Sequence, residues 1–135
     1  MPDSDRTEGA ARTMRLELIP VPTSDIDRAK AFYVDTVGFG LDHDVAPAPG
    51  VRVVQLTPPG SGCSIVLGQG LSGLEMPVGV LRGLHLVVDD IEVTRRWLAE
   101  RGLATYDVQD MGGVLFSGFE DPDGNTWVLQ QVASR

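Results

Sequence analysis

One histidine stands out because all of its neighbours are aliphatic. His85 interrupts the run Leu84-His85-Leu86-Val87-Val88, whose composition is typical of a β-strand. An imidazole titrates near neutral pH, so His85 could act as a general acid or base, or as a hydrogen-bond anchor for a ligand. The alternative is a core histidine whose ring is satisfied by a backbone carbonyl. The sequence around His85 leaves both interpretations open.

The rest of the chain offers few other groups for catalysis. Cys63 is the only cysteine, so no intrachain disulfide is possible, and the apolar run that follows it favours a buried thiol over a nucleophile. His43, the other histidine, lies between Asp42 and Asp44 and is interpreted as an exposed residue at a strand end. No Ser/His/Asp arrangement, phosphate-binding glycine loop or dinucleotide fingerprint is present.

Charge and hydropathy restrict the partners. A net charge of −8 over 135 residues argues against nucleic acid, because phosphate binding requires a basic surface. No apolar run is long enough to span a membrane, so no membrane partner is expected. Residues 1–13 are polar and lack the apolar stretch of a secretory signal. We therefore expect a disordered tail over 1–13 and a cytoplasmic location.

The chain contains an internal repeat. A shift of 65 residues places Asp25-Ile26 on Asp90-Ile91, and a shift of 64 places the turn at 57–61 on the turn at 121–125. Gly38 falls near Gly102 by the same comparison. Landmarks that recur in the same order at one spacing indicate two copies of one structural unit.

Each copy is predicted to fold as βαβββ. The helices carry apolar residues at helical spacing; the first begins with a capping box of Ser24 and Asp27, and Gly38 and Gly102 end the two helices. The predicted strands span 16–21, 41–45, 51–57 and 63–67 in the first copy, and 84–88, 105–108, 114–119 and 126–132 in the second. These elements divide a single domain, 14–135, into a module at 14–68, a linker at 69–82 and a module at 83–132.

Two motifs resemble a known family. The segment Asp25-Ile26-Asp27-Arg28-Ala29-Lys30-Ala31-Phe32-Tyr33 followed by Gly38-Phe39 is similar to the opening helix of the glyoxalase/bleomycin resistance protein/dioxygenase (vicinal oxygen chelate) superfamily, and Asp121-Pro122-Asp123-Gly124-Asn125-Thr126-Trp127 is similar to its closing hairpin. The resemblance implies an α+β fold in which two βαβββ modules form a cup-shaped, eight-stranded mixed sheet, with helices on the convex side. It also implies a small molecule in the cup and a homodimer.

The resemblance places the positions where metal-dependent members carry His or Glu. Carried over onto this chain, these positions are Leu18, Gly83, Val128 and, approximately, Ser64. None is a usual ligand of a divalent metal, which takes nitrogen, thiolate or carboxylate donors. We therefore expect no metal and no other cofactor.

The concave side of the expected cup would hold the ligand. His85 shares the face of Gly83 by the two-residue alternation of a strand, and Gln55 and Gln130 could point inward as neutral polar anchors, with exposure at a sheet edge as the alternative. The candidate ligand-binding residues are Leu18, Gln55, Ser64, His85, Phe116, Val128 and Gln130, and His85 is the one catalytic candidate. Phe119, Met111 and Met76 are further candidates for the wall of the cup.

Three functions remain open on this evidence, since the fold alone does not determine function. The first is metal-independent binding of an apolar or aromatic compound, as in bleomycin-resistance members. The second is a metal-independent isomerase, cyclase or lyase with His85 as general acid or base. The third is a metal-dependent lyase or dioxygenase with a non-standard ligand set.

Overall fold

The computed structural model describes residues 2–132, with side chains from Thr7 onward. Met1 and residues 133–135, which belong to the predicted tail and to the predicted domain 14–135, lie outside the described part.

The elements follow the predicted order of two βαβββ units. The first unit consists of β1 (Leu18–Pro20), α2 (Ile26–Ala31) continuing as a π-helix (Phe32–Val37), β2 (Gly40–Ala48), β3 (Val51–Thr57) and β4 (Ser64–Gln69). The second consists of β5 (Leu84–Val87), α3 (Ile91–Glu100), β6 (Gln109–Met111), β7 (Val114–Glu120) and β8 (Thr126–Gln131). A further helix, α1 (Pro2–Arg12), precedes them.

The strands form two four-stranded mixed sheets with the same topology. Their orders are β1-β4-β3-β2 and β5-β8-β7-β6. The strand that opens each unit pairs in parallel with the strand that closes it, and the remaining pairs are antiparallel. The predicted α+β fold of two βαβββ modules is confirmed. Because the eight strands are divided between two sheets, an eight-stranded cup requires two such sheets to be brought together.

Both helices begin and end where short-range chemistry favours it. Asp25 caps α2 by accepting a hydrogen bond from the Arg28 N–H, and Asp90 caps α3 in the same way. The predicted capping box of Ser24 and Asp27 is therefore wrong, because Asp25 and not Ser24 occupies the N-cap position. Gly38 ends the first helix as predicted, with φ of 89°.

The helix-covered faces of both sheets share one hydrophobic core. Buried residues of the first unit, among them Tyr33 and Phe39, pack directly on Trp127 of β8, with ring centroids 5.7 and 5.6 Å apart. Trp97 of α3 lies against Gly38, where a Cβ atom would overlap the indole ring. Since the core holds the helix-covered faces together, the other face of each sheet is directed away from it.

A buried polar network lies at the centre of this core. The Tyr33 hydroxyl donates to the Asp121 carboxylate at 2.6 Å and accepts from the Trp127 indole N–H at 2.9 Å. The Asn125 side chain and backbone both donate to Asp121 as well. Burial, followed by the Asp121 carboxylate, raises the pKa of Tyr33 far above its usual range, so the phenol is a permanent donor. Each polar side chain of this network has a hydrogen-bond partner, as burial in a low-dielectric site requires.

A second polar contact holds the closing hairpin of the second unit to the first. Asp123 accepts from the Thr23 hydroxyl at 2.7 Å, from the Ser24 hydroxyl at 2.6 Å and from Arg28 at 3.1 Å. Burial acts to raise the pKa of Asp123, but the hydrogen bonds from Ser24 and Thr23 outweigh it, and the pKa is lowered. The contact therefore stabilises the fold most when Asp123 is ionised.

Two predicted segments differ in the structure. Residues 2–12 of the predicted tail form α1, whose side chains from Thr7 onward are mostly exposed, so the helix follows from local propensity and not from packing. The strand predicted at 105–108 lies instead at Gln109–Met111. The residues before it turn back on β7, because the Tyr106 N–H donates to the Gly118 carbonyl at 2.9 Å.

Replacing Tyr33 with Phe tests the central network. The change leaves the Asp121 carboxylate and the Trp127 N–H each short of a partner, and the expected loss is about 1–3 kcal/mol in the free energy of unfolding measured with urea. Tyr106→Phe is the matched control, since Tyr106 is half exposed, and it should cost less than about 0.5 kcal/mol. Equal losses in the two variants would contradict the role assigned to the network.

The Asp123 contact predicts a specific acid sensitivity. The pKa of Asp123 in the folded protein lies below the value of 3.8 for a free carboxyl. The stabilisation from this contact is therefore complete above about pH 3.8 and is lost as the pH falls through the pKa of the folded state. Asp123→Asn should flatten the fall in unfolding free energy between neutral pH and about pH 3. Asp35→Asn, at an exposed helical position, should leave the slope unchanged; a steeper or identical slope for Asp123→Asn would contradict the assignment.

Candidate ligand-binding site

The second sheet gathers four of the predicted site residues on the face opposite the core. His85 is in register with Val128 across β5 and β8, and Phe116 is in register with Gln130 across β7 and β8. Side chains alternate between the faces of a strand, and Trp127, next to Val128, is buried in the core. The four residues therefore share the outer face of this sheet, opposite the core.

The geometry of His85 establishes which nitrogen can interact with a ligand. Its Nδ1 lies 2.6 Å from the Gly83 carbonyl oxygen. A carbonyl oxygen only accepts hydrogen bonds, so Nδ1 carries the proton and Nε2 of the neutral ring has a free lone pair. The side chain is exposed and meets Phe116 edge-to-face at 6.5 Å. Of the two interpretations left open by the sequence, the core histidine is ruled out by this exposure, although the carbonyl partner that it assumed is present.

His85 lines an open cavity of about 290 Å³ on this face. The lining residues, all from the second module, are His85, Tyr106, Asp107, Gln109, Met111, Phe116, Ser117 and Val128. Most of the lined surface is apolar, and His85, Asp107, Gln109 and Ser117 add polar groups to it, a combination found in small-molecule sites. None of these lining residues is a lysine or an arginine.

Tyr106 is a site residue that the sequence analysis missed. Its ring lies over Gly118, where a Cβ atom would crowd the ring and overlap the Trp127 carbonyl. The Ser117 hydroxyl donates to the Tyr106 carbonyl at 2.6 Å and holds the segment in place. Partial desolvation of the phenol, then the nearby Glu120 carboxylate, raise the pKa of Tyr106. Because the sequence analysis placed a strand at 105–108, it did not identify Tyr106 as a candidate. Gly118, a glycine in a strand of mostly large residues, was the feature that could have indicated a close contact at this position.

The first sheet carries the other three predicted residues on its own outer face. Leu18 of β1 is in register with Ser64 of β4, and Gln55 of β3 reaches across to Ser64, with its Nε2 3.4 Å from the Ser64 Oγ. Ser64 is buried, whereas Leu18 and Gln55 are half-buried. The three residues therefore form one patch.

A chain of hydrogen bonds runs through this patch to a carboxylate. The Thr57 hydroxyl donates to the Asp42 carboxylate in a very short hydrogen bond, and the Thr57 and Ser64 hydroxyls are 2.6 Å apart. Gln55 Nε2 is also 3.5 Å from Asp42. Asp42 and Thr57 were not among the predicted site residues, because the alternation of β2 placed Asp42 on the opposite face; an irregular register between Leu41 and His43 turns it inward.

The remaining predicted residues lie in different places. His43 is exposed and is in register with Gln55. Met111 lines the His85 cavity, but Met76 lines a separate cavity of about 170 Å³ between the linker and the β1–β4 pair. Phe119, proposed for the wall of the cup, is buried in the core. It lies three residues after Phe116 on β7, and residues an odd number apart on a strand face opposite sides of the sheet.

The positions carried over from metal-dependent relatives do not fit a divalent cation. Leu18, Gly83 and Val128 offer no side-chain donor, and the Ser64 hydroxyl is engaged with Thr57. Across residues 2–132, no three His, Cys, Asp or Glu side chains come close enough to hold a metal ion. The donor set therefore gives no basis for a reaction routed through a metal at these positions.

Comparison with known proteins identifies the family of this chain. A family model for the Glyoxalase/Bleomycin resistance protein/Dioxygenase superfamily matches residues 14–129. The chain belongs to this superfamily. No curated protein sequence matches the chain.

Several solved structures of the superfamily resemble this chain. TnmS3, an antibiotic binding protein from Streptomyces sp. CB03234, is 38% identical, with a TM-score of 0.78 over 90% of this chain and 98% of that chain. A glyoxalase/bleomycin resistance protein from the same organism is 40% identical, with a TM-score of 0.74 over 87% and 100%. A superfamily member from Sphaerobacter thermophilus DSM 20745 is 30% identical, with a TM-score of 0.75 over 88% and 98%. In the part of the chain described here, no helix is both long and apolar enough to traverse a bilayer.

Metal titration tests whether the side chains of this protein bind a divalent cation. Adding Zn²⁺, Ni²⁺, Mn²⁺ or Fe²⁺ is expected to shift the thermal unfolding midpoint by less than about 1 °C, because a ligand stabilises only through binding to the folded state. Val128→His is the positive control, since it places a second imidazole in register with His85 and should make the protein responsive to Zn²⁺ or Ni²⁺. A clear rise in the midpoint for the unaltered protein, abolished in His85→Ala, would contradict the account.

Proposed function

We propose that this protein binds an apolar or aromatic small molecule on the concave His85 face, without a metal and without converting it. The observation that carries the proposal is the open cavity of about 290 Å³ lined by Phe116, Val128 and Met111, beside positions that lack metal donors. Apolar burial supplies affinity of about 25 cal/mol per Å². The sparse polar groups orient the ligand.

The relatives support a sequestering function. TnmS3 is an antibiotic binding protein, and its likeness to this chain extends over nearly the whole domain. An antibiotic-like compound with an aromatic portion is therefore the ligand that we infer for this chain.

The ligand site is completed by a second copy of the chain. Within one copy, the two concave faces lie on separate sheets directed away from the shared core, so each covers a ligand from one side only. The His85 face also exposes large apolar side chains: Val87 is 58% and Met111 is 64% exposed. β1 and β5 each have one unpaired edge in the described sheets. In a homodimer, the first-module face of one copy would close over the His85 face of the other.

A charge on the concave face tests the dimer. Val87→Asp should shift the protein from dimer to monomer in sedimentation velocity and abolish ligand binding, because a desolvated, unpaired carboxylate is costly. Val93→Asp is the matched control: Val93 is 53% exposed but lies on α3, and this variant should remain dimeric. A dimer that tolerates Val87→Asp, or a monomeric unaltered protein, would contradict the composite site.

An aromatic probe tests the cavity itself. Titration with 2-methoxynaphthalene, followed by fluorescence, should show saturable binding, and Phe116→Ala should weaken the affinity by about tenfold through loss of ring contact. Val93→Ala should leave the affinity unchanged. The proposal fails if the probe does not bind, or if it binds equally well to Phe116→Ala.

One observation favours a second function, metal-independent acid–base catalysis. The proton on His85 Nδ1 is held by Gly83, which leaves Nε2 of this cavity-lining residue as a candidate base, and a positioned base contributes on the order of 10²–10⁴-fold to rate.

Recovery of the bound compound distinguishes the two functions. After incubation in D₂O, a sequestered compound should return with its mass and structure unchanged. Deuterium incorporation or isomerisation that disappears in His85→Ala would instead establish an isomerase, cyclase or lyase and contradict simple binding.

A further inference from the structure

The polar groups at the Asp42 end of the first-module face direct their protons into hydrogen bonds within the protein. On the first face, Asp42 as a carboxylate has no proton to give, and the single proton of Thr57 is donated to Asp42. The Ser64 hydroxyl, 2.6 Å from Thr57, must therefore donate to the Thr57 oxygen. The orientation of this chain of hydroxyl groups is thus determined by the carboxylate at its end.

The Gln55 amide follows the same polarity. Its nitrogen lies 3.5 Å from the Asp42 carboxylate and 3.4 Å from the Ser64 oxygen. A carboxylate cannot donate, so the NH₂ group and not the carbonyl must face Asp42, and both amide protons are directed to these two oxygens. What remains available to a ligand is the Gln55 carbonyl oxygen and the second Asp42 oxygen. Both are acceptors.

The His85 face holds only some of its polar protons in this way. The Nδ1 proton of His85 is held by the Gly83 carbonyl, and the Ser117 hydroxyl proton is held by the Tyr106 carbonyl. His85 Nε2 and the Asp107 carboxylate remain as acceptors, and no lysine or arginine lines the cavity. The Gln109 amide, which lines the cavity, and the Gln130 amide on the same face also offer N–H donors. This face therefore suits donors and acceptors alike, and a preference between them must come from the first face.

We infer that the Asp42 end of the first-module face favours ligands that present hydrogen-bond donors, such as phenols, alcohols or amines, over ligands whose polar groups only accept. At the Asp42 end, a carboxylate or an ether would meet only lone pairs and lose its hydration without compensation. A donor at the Asp42 end would form a charge-assisted hydrogen bond. This inference rests on the proposed function, because it concerns the ligand of the same cup.

Three naphthalene probes test the inference while keeping the apolar part constant. 2-Naphthol carries a donor, 2-methoxynaphthalene carries an acceptor only, and 2-naphthoate carries an anionic acceptor. Affinities are measured for each by fluorescence titration at neutral pH. The expected order is 2-naphthol about tenfold tighter than 2-methoxynaphthalene, with 2-naphthoate the weakest.

Variants assign the preference to the first face. Asp42→Ala and Gln55→Leu each remove an acceptor, and the ratio between 2-naphthol and 2-methoxynaphthalene should fall to less than about threefold in Asp42→Ala, with a smaller fall in Gln55→Leu. Asp35→Ala removes one negative charge from an exposed helical position and should keep the full ratio. This control separates hydrogen bonding at Asp42 from the overall charge of the protein.

The outcomes separate this inference from the proposed function. If 2-methoxynaphthalene binds as tightly as 2-naphthol, or if 2-naphthoate binds most tightly, the donor preference is wrong while the aromatic binding site stands. A ratio that survives in Asp42→Ala, or falls equally in Asp35→Ala, likewise overturns the assignment to this face. If none of the three probes binds, the proposed function itself fails, and the inference fails with it.

Discussion

The contact between Tyr33, Asp121 and Trp127 is the constraint on which the rest of the structure depends. A phenol from the helix of the first unit reaches the carboxylate and the indole of the closing hairpin and strand of the second. Because the carboxylate is buried with only neutral donors around it, loss of any one donor leaves a desolvated charge without adequate partners. The helix-covered faces of the two sheets are therefore held together around one core. The faces that bear the predicted ligand-binding residues are consequently directed outward.

This outward orientation explains why the site residues fall into two groups. Leu18, Gln55 and Ser64 lie on one sheet, and His85, Phe116, Val128 and Gln130 lie on the other. A monomer would present two half-sites with exposed valine and methionine side chains, an arrangement that favours association. A second copy related by two-fold symmetry would pair each half-site with its complement, since such an interface brings the same two surfaces together twice.

Much of this could be predicted from sequence because it depends on short-range rules. Two-residue alternation placed His85 on one face with Gly83, and the repeat correctly located both helices and their glycine ends. The register irregularity in β2 that turns Asp42 inward could not be predicted, since it depends on how β2 pairs with β3 and not on the composition of β2. The loop geometry that lays Tyr106 over Gly118 depends likewise on contacts between segments distant in the fold. The division of the strands into two sheets could not be predicted from local sequence patterns, because it is determined by the aromatic core.

Complementation between two impaired chains tests most directly whether each site is shared between copies. Leu18→Arg places a charge on the first-module face, and Val128→Arg places one on the His85 face, so each variant alone should fail to bind 2-methoxynaphthalene. When the two variants are unfolded together and refolded, mixed dimers should each contain one cup free of both charges, and binding should return. If the mixture binds no better than either variant alone while mixed dimers form, the site lies within a single chain and the account is contradicted.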